Sequence, residues 1–282
     1  MELGELLKKL DRISGIPTLP SIALQVNQLL SDPKAPVQKL GDIITKDQAM
    51  TSNILKLVNS AFYGFQSKIE NIQRAIMVLG VETVRNSVLA VSIIQSFPKR
   101  SNLEWFDMPG LWRHSIAVAV TCRHLSRRVP LEQPDNCFLG GLVHDLGKVI
   151  IVQYLASEYA GALDLIKTGV TFHDAEVRAA LPGHAAIGGA LAQKWRVPPR
   201  IIEAIKYHHE PDKNQQQGGL SLIVHGADII VNTLMAVSPT APKITTSPNE
   251  HRDAWLAAIA DAPKWFKEIL PEIEAAWTFY NI

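Results

Sequence analysis

The sequence predicts an all-α protein. Apolar residues recur every three or four positions along most of the chain, for example at Leu3, Leu6, Leu7 and Leu10, and this spacing is typical of amphipathic helices. Prolines, glycines and helix-capping residues separate these segments. No stretch alternates apolar and polar residues for long enough to indicate a β-sheet.

In the N-terminal part, residues 1–100, the pattern of apolar residues predicts a series of short helices. The periodic segments are 2–13, 21–30, 37–44, a helix capped by Asp47, a helix opened by Asn71, and 81–97. Asp47 and Asn71 are preferred N-cap residue types. Gly80 separates the last two helices. The polar stretch 98–102 then predicts a boundary, because breakers there stand between two apolar helices.

The second predicted part is residues 101–282. Its sequence pattern predicts longer helices. The segments are 109–128, 135–154, 157–167, a helix opened by Thr171, 182–195, 198–208 and 220–235. Two polar stretches, 211–219 and 238–248, are interpreted as loops. Two or three closing helices follow, which we expect Trp255, Trp265 and Trp277 to hold by packing.

Composition excludes several classes of protein. The chain has 282 residues and a formal net charge of +1, so it lacks the basic excess of a dedicated nucleic-acid-binding surface. Its two cysteines, Cys122 and Cys137, fit a reduced compartment. We find neither a signal peptide nor an apolar run of about 18 residues that would span a bilayer. We therefore expect a cytoplasmic protein with no membrane or nucleic-acid partner.

The adjacent residues His144 and Asp145 are the first candidate site. They lie in the apolar segment 135–154, where a continuous helix would place them about 100° apart on its surface, close enough to bind one cation. Neither group is stable in an apolar environment without a partner. The dipeptide alone is weak evidence, because a similar pair stands at His173 and Asp174.

Other helices supply further candidate ligands, each with an ordinary structural explanation. His114 could be a core histidine with a hydrogen-bond partner, and His184 could be incidental to a helix start. His208 and His209 could simply complement the dipole at a helix C-terminus. Asp228 lies in an apolar helix and needs a cation or a hydrogen-bond donor.

Taken together, these side chains predict a two-metal site. Five imidazoles and two carboxylates on successive helices exceed what one ion needs, whereas two-metal sites hold ions about 3.5 to 4 Å apart. Asp145 would bridge the ions. An all-nitrogen-and-oxygen ligand set favours divalent iron or manganese over structural zinc. His225 is either a hydrogen-bond partner of a ligand or a packed core histidine.

The order of these residues resembles the ligand series of the HD-domain metal-dependent phosphohydrolases. More narrowly, the chain is similar to the HDOD (HD-related output domain) proteins of bacterial signalling. The stretches that carry this resemblance are Leu19-Pro20, the motif 59–64, Ala75 with Leu79-Gly80, and the block from His184 to Trp195 with Pro198 and His208-His209.

The resemblance implies specific roles. His114, His144, Asp145, His184, His208, His209 and Asp228 would bind the metals, and Asp145 and Lys148 would be catalytic. Lys148 corresponds to the phosphate-contacting lysine of HD-x-x-K members and would stabilise charge on a phosphoryl oxygen; otherwise it is a solvated lysine. The position of an additional glutamate in trinuclear relatives is occupied by Gly110, which favours two metals. The Gly-Tyr-Pro signature of cyclic-di-GMP phosphodiesterases is missing after His209.

Two functions from different classes remain open at this stage. One is a signalling protein that hydrolyses a phosphoester, with a phosphate-containing small molecule as substrate. The other is a non-catalytic regulatory module that binds a signalling protein and whose metal is structural or vestigial. In a third possibility, residues 1–100 bind a partner protein or close over the metal pocket.

Overall fold

The protein is all-α throughout the residues that its structure, a computed structural model, describes. These are residues 2–13, 15–30, 32, 35–60, 63, 65, 67–214, 219–235 and 252–280. They form helices and connecting loops and contain no strand. The predicted fold class is confirmed.

The N-terminal helices closely follow the apolar segments of the sequence. They are α1 (Leu3–Leu10), α2 (Ser21–Leu30), α3 (Val37–Thr45), α4 (Gln48–Val58), α5 (Ile72–Leu79) and α6 (Val81–Ser96). The side chain of Asp47 accepts a hydrogen bond from the Met50 N–H at 2.9 Å, and Asn71 accepts one from the Arg74 N–H at 2.8 Å. Both predicted N-caps are confirmed. Gly80 has a φ of 87°, a conformation that favours glycine and turns the chain from α5 into α6.

The remaining helices form a bundle around α7, α8 and α14. They are α7 (Met108–Arg128), α8 (Pro134–Val143), α9 (Leu146–Tyr154), α10 (Ala160–Lys167), α11 (Phe172–Arg178), α12 (His184–Lys194), α13 (Pro199–Tyr207), α14 (Gly219–Leu234), α15 (Arg252–Ala260) and α16 (Ala262–Tyr280). α7 packs against α8, α14 and α16, and α12 packs against α9 and α13. Trp255 and Trp265, on the two closing helices, are buried, which confirms their predicted packing role.

The prediction of one helix over 135–154 was wrong in one respect. Two turn residues, His144 and Asp145, separate α8 from α9. Asp145 has φ −93° and ψ 12°, and its carbonyl accepts a hydrogen bond from the Lys148 N–H three residues on, which is a tighter turn than that of an α-helix. The His-Asp pair therefore lies at a junction between two helices and not within one.

The two predicted parts of the chain contact each other through a buried hydrogen bond and an exposed ion pair. Asn86 on α6 donates a hydrogen bond to Asn136 on α8 at 2.9 Å, and both residues are buried. α1 lies against α12, and Lys194 of α12 pairs with Asp11 at 2.7 Å. The first helix therefore contacts the second part of the chain. The boundary at 98–102 stays a prediction.

The segment Pro134–Tyr154 is long and apolar enough to cross a membrane, but 89% of its most apolar window is buried inside the protein. Core helices of soluble proteins share this property. The sequence prediction had identified no such run. Of the predicted loops, Pro211–Lys213 forms a single 3-10 turn, whereas residues 215–218 and 238–248 lie outside the described residues, as do residues 61, 62 and 64 of the motif 59–64.

Candidate metal centre

The predicted ligands of five different segments come together at one place in the bundle. α7 supplies His114, the α8–α9 junction supplies His144 and Asp145, and the first residue of α12 is His184. His208 and His209 directly follow α13, and Asp228 lies on α14. Helix packing thus brings together side chains that are up to 114 positions apart, from His114 to Asp228.

The first half of the site consists of His114, His144, Asp228 and one oxygen of Asp145. Nε2 of His114 lies 3.0 Å from Oδ1 of Asp228 and 3.8 Å from Oδ2 of Asp145. Nε2 of His144 lies 3.3 Å from the same Asp145 oxygen and 3.8 Å from Oδ1 of Asp228. The ligand atoms of His114, His144 and Asp145 all lie within 4.8 Å of one another, and Asp228 is close to both imidazoles.

The second half consists of three imidazoles and the other oxygen of Asp145. Nε2 of His184 lies 3.0 Å from Nε2 of His209 and 3.3 Å from Nε2 of His208. Oδ1 of Asp145 lies 3.2 Å from Nε2 of His184 and 3.8 Å from Nε2 of His208. Asp145 therefore directs one carboxylate oxygen to each half.

These distances fit ligands arranged around metal ions. With metal–nitrogen and metal–oxygen bonds of about 2.0 to 2.2 Å, two ligand atoms on one ion are about 3.0 Å apart at a right angle and about 3.4 Å apart at the tetrahedral angle. The shorter contacts in each half, 3.0 to 3.3 Å, have this length. The seven residues thus have the donor types and spacing of a metal-binding centre.

Hydrogen bonds on the far side of three imidazole rings direct Nε2 into the site. Nδ1 of His144 is 2.7 Å from the carbonyl of Gly141, and Nδ1 of His208 is 2.8 Å from the carbonyl of Ile205. Nδ1 of His184 is 2.9 Å from a carboxylate oxygen of Glu176. A ring that donates through Nδ1–H presents the lone pair of Nε2, which is the form that binds metal.

Buried polar atoms that have no hydrogen-bond partner are a second sign that these residues fit a metal ion. Nε2 of His144 and Oδ1 of Asp145 are buried and have no hydrogen-bond partner among the described residues. Burial, together with His144 and His184, lowers the pKa of His208 well below its ordinary value, so this ring is neutral. Although burial opposes the charged form of Asp145, His144 and Lys148 hold its pKa well below the usual range. The neutral ring of His208 and the ionised carboxylate of Asp145 are ligand forms that divalent cations require. Two other rings differ from His208: although burial opposes the change, Asp145 raises the pKa of His144 and Glu176 raises that of His184.

Lys148 lies beside Asp145 at the edge of the centre. Its Nζ donates to Oδ2 of Asp145 at 2.7 Å and lies 5.6 Å from the centre of the Phe172 ring. Burial lowers the pKa of Lys148, but Asp145 and Asp228 outweigh burial and raise it. The side chain is therefore a fixed cation and not a freely solvated one.

A cavity of about 830 Å³ adjoins the centre. Five residues of the centre line it: His114, Asp145, Lys148, His209 and Asp228. Apolar and aromatic side chains form its walls, among them Phe106, Leu111, Ile166, Val170 and Phe172. Every described residue that lines it belongs to 106–235. Within the described chain, the N-terminal helices therefore do not close over this cavity.

Sequence reasoning missed two residues near the centre, Glu176 and His173, and left a third, His225, with two interpretations. Glu176 is buried and holds His184, although its position in a short helix of mixed polarity carried no signal. His173, which we had set aside, stacks on His209 with ring centres 4.2 Å apart. Nδ1 of His225 lies 2.7 Å from the carbonyl of His208, which matches one of its two interpretations, a hydrogen-bond partner of a ligand residue.

The chain is similar to known proteins over most of its length. The sequence profile of the HDOD domain matches residues 16–211. An uncharacterized protein of Treponema pallidum is 27% identical over 236 residues, which cover 81% of this chain and 44% of that protein. The chain thus spans less than half the length of the curated relatives it matches.

Solved structures share the fold. An HDOD domain protein of unknown function from Geobacter sulfurreducens aligns with a TM-score of 0.76 at 24% identity, covering 98% of this chain and 97% of that one. A protein of Shewanella amazonensis that has been proposed to be a phosphohydrolase aligns with a TM-score of 0.75 at 21% identity and the same coverage. The profile match, over more than half of the chain, shows that this protein belongs to the HDOD family.

Proposed function

We propose that this protein binds two divalent transition-metal ions, iron or manganese, and uses them to hydrolyse a phosphoester in a signalling role. The observation that carries this proposal is the position of Asp145, whose Oδ2 faces a group of two imidazoles and a carboxylate and whose Oδ1 faces a group of imidazoles. A bridging carboxylate between two such groups is typical of two-metal hydrolytic centres.

The ligand set supports the proposed identity of the ions. All donors are imidazole nitrogens or carboxylate oxygens, and both cysteines are buried elsewhere as free thiols. This combination favours iron or manganese, which accept nitrogen and oxygen ligands with open coordination positions, over the thiolate-rich sites of structural zinc.

The chain's own residues supply the remaining functions of a phosphoester hydrolase. Bound divalent ions would supply Lewis-acid activation of the phosphoester and of water. Lys148 lines the cavity and is placed to stabilise negative charge on a phosphoryl oxygen. The apolar walls of the cavity would limit water and hold the organic part of the substrate. The proposed phosphohydrolase activity of the Shewanella amazonensis protein agrees with this assignment.

The test is a substrate screen with manganese- or iron-loaded protein. Nucleotides, cyclic dinucleotides and simple phosphomonoesters are incubated with the protein, and released phosphate or nucleotide product is measured. We expect turnover that Asp145→Ala abolishes and that Asp164→Asn leaves unchanged, because Asp164 is exposed and pairs only with Lys167 among the described residues. Turnover that survives Asp145→Ala would contradict the proposal.

A second candidate function is that of a regulatory module that binds a signalling protein. Three apolar side chains on the packed pair α3 and α5 favour it: Val37, Met77 and Val78 are exposed, Met77 to 71%. Exposed apolar groups of this kind occur at protein-interaction surfaces. Metal binding without turnover across the whole panel would favour this candidate.

A further inference from the structure

Glu176 is the buried carboxylate next to the centre that the proposed chemistry does not use. It lies on α11 and is 1% exposed. Its Oε1 accepts a hydrogen bond from the backbone N–H of His184 at 2.8 Å. The same carboxylate lies 2.9 and 3.1 Å from Nδ1 of His184, so it contacts both the backbone and the ring of one residue.

The backbone contact fixes the position of the helix that carries His184. His184 is the first residue of α12, and its N-cap, Gly183, has no side chain to satisfy the free N–H groups at the helix start. Glu176 supplies the missing acceptor from a neighbouring helix. A carboxylate at a helix N-terminus is also favoured by the helix dipole.

The ring contact fixes the orientation of the imidazole. With Nδ1–H directed at Glu176, Nε2 of His184 faces Oδ1 of Asp145 at 3.2 Å and the Nε2 atoms of His208 and His209. A ring turned over by rotation about its χ2 angle would place carbon atoms where Nε2 now lies. A carboxylate that accepts from the far nitrogen also makes the metal-facing nitrogen a stronger donor.

We propose that Glu176 is a positioning residue that holds His184 in the orientation needed to bind the second of the two ions. The inference rests on the proposed two-metal function. It concerns only the half formed by His184, His208, His209 and Oδ1 of Asp145, because the half around His114 and Asp228 has no described contact with Glu176. Removal of the Glu176 charge should therefore weaken the binding of one ion and leave the binding of the other unchanged.

The helix that carries Glu176, α11, also lines the cavity. Phe172 and His173, on the first turn of the same helix, line the cavity wall, while Glu176 one turn later contacts His184. The wall of the cavity and the second half of the centre are thus carried by one rigid element of seven residues.

The test compares metal affinities of the full chain by titration with Co²⁺ in competition with a chromogenic chelator. The variants are Glu176→Gln, which keeps the shape but loses the charge, and Glu176→Asp, which keeps the charge. Glu132→Gln is the control, because Glu132 is a carboxylate with partners at Arg200 and Asn136 and none in the centre among the described residues. We expect Glu176→Gln to lower the affinity for one of the two ions by about 10- to 100-fold. Glu176→Asp should lower that affinity less than Glu176→Gln does.

A second set of variants, built on His208→Ala, distinguishes a positioning role of Glu176 from a general loss of structure. His208→Ala removes a ligand of the second half only, so the ion that remains occupies the first half. Adding Glu176→Gln to His208→Ala should leave the affinity of this remaining ion unchanged. Equal weakening of both ions by Glu176→Gln, or weakening of the remaining ion in the double variant, would show a structural role and overturn the inference.

The wild-type titration separates this inference from the function on which it rests. Wild-type protein that binds two ions, with Glu176→Gln binding both equally well, overturns the inference and leaves the two-metal function standing. Wild-type protein that binds no ion overturns both.

Discussion

Gly147 lies so close to the backbone of His184 that a Cβ atom at position 147 would overlap the carbonyl oxygen of His184. The same Cβ atom would be 2.9 Å from the backbone nitrogen of Gly188. α9 can therefore approach α12 at this point only because residue 147 is glycine. This close approach brings His184 within reach of Asp145, two residues before Gly147.

We expect Gly147→Ala to destabilise the protein and to reduce its metal content. The added methyl group meets backbone atoms that cannot rotate away, and overpacking of this kind costs about 1 to 3 kcal/mol. Unfolding in urea and metal analysis measure the two effects. Gly161→Ala is the control, because a Cβ there meets nothing within 4 Å, and it should be neutral or slightly stabilising. Wild-type stability and metal content in Gly147→Ala would contradict the proposed packing constraint.

The two halves of the centre predict different metal contents for different variants. Asp228→Asn should remove a ligand of the first half and His208→Ala one of the second, so each should retain about one ion per chain, whereas Asp145→Ala should lose both. Elemental analysis after dialysis gives the count. Loss of both ions in every variant would indicate a single cooperative site and not two separable halves.

Lys148→Gln should slow phosphoester turnover without removing metal. The lysine contacts Asp145 but is not itself a ligand type, and removal of one charge-stabilising donor typically costs a factor of about 100 to 1000 in kcat. Steady-state kinetics and metal analysis of the same preparation measure both quantities. Lys194→Gln serves as the control, since Lys194 pairs with Asp11 on the surface. A large loss of metal in Lys148→Gln would instead indicate that the lysine mainly supports the ligands.

Because of His124, we expect the protein to lose stability in mild acid. Burial, together with Arg128 and Arg127, lowers the pKa of His124 from 6.5 to about 4, and its ring packs on Trp265 with centres 4.8 Å apart. The unfolded chain therefore takes up the proton first as the pH falls. The stability due to neutral His124 is complete above pH 6.5 and is lost progressively towards pH 4.

The measurement for His124 is the free energy of unfolding between pH 7 and pH 4. The difference between wild type and His124→Phe isolates the contribution of His124 from that of every other group. Phenylalanine keeps a ring against Trp265 and cannot bind a proton. Parallel pH profiles for the two proteins would contradict the lowered pKa.

The buried pair Asn86 and Asn136 should couple the N-terminal helices to the bundle. Asn86→Ala leaves Oδ1 of Asn136 without its described donor, and a buried unpaired polar group costs about 1 to 3 kcal/mol. A double-mutant cycle with Asn136→Ala, measured by urea unfolding, should show a coupling free energy well above experimental error. Additive effects would mean that the hydrogen bond does not contribute to the contact.

Much of the fold could be predicted from local patterns because local physics decides it. Apolar periodicity and capping residues such as Asp47 and Asn71 act within one helix, and the structure places those caps as expected. The break between α8 and α9 was missed. The segment around His144 and Asp145 is apolar and has no proline, so its helical periodicity continues through the turn. The turn lies next to the place where Gly147 of α9 meets the backbone of His184 of α12.

The residue types and the order of the candidate ligands were readable in the sequence, because a charged or imidazole side chain in an apolar helix needs a partner wherever it lies. Only the tertiary structure decided which atoms meet: that Asp145 faces two groups, that the Nε2 atoms point inward, and that Glu176 holds His184. These relationships join residues on separate helices. They depend on the angles and distances at which the helices pack, and no local pattern of residues encodes these.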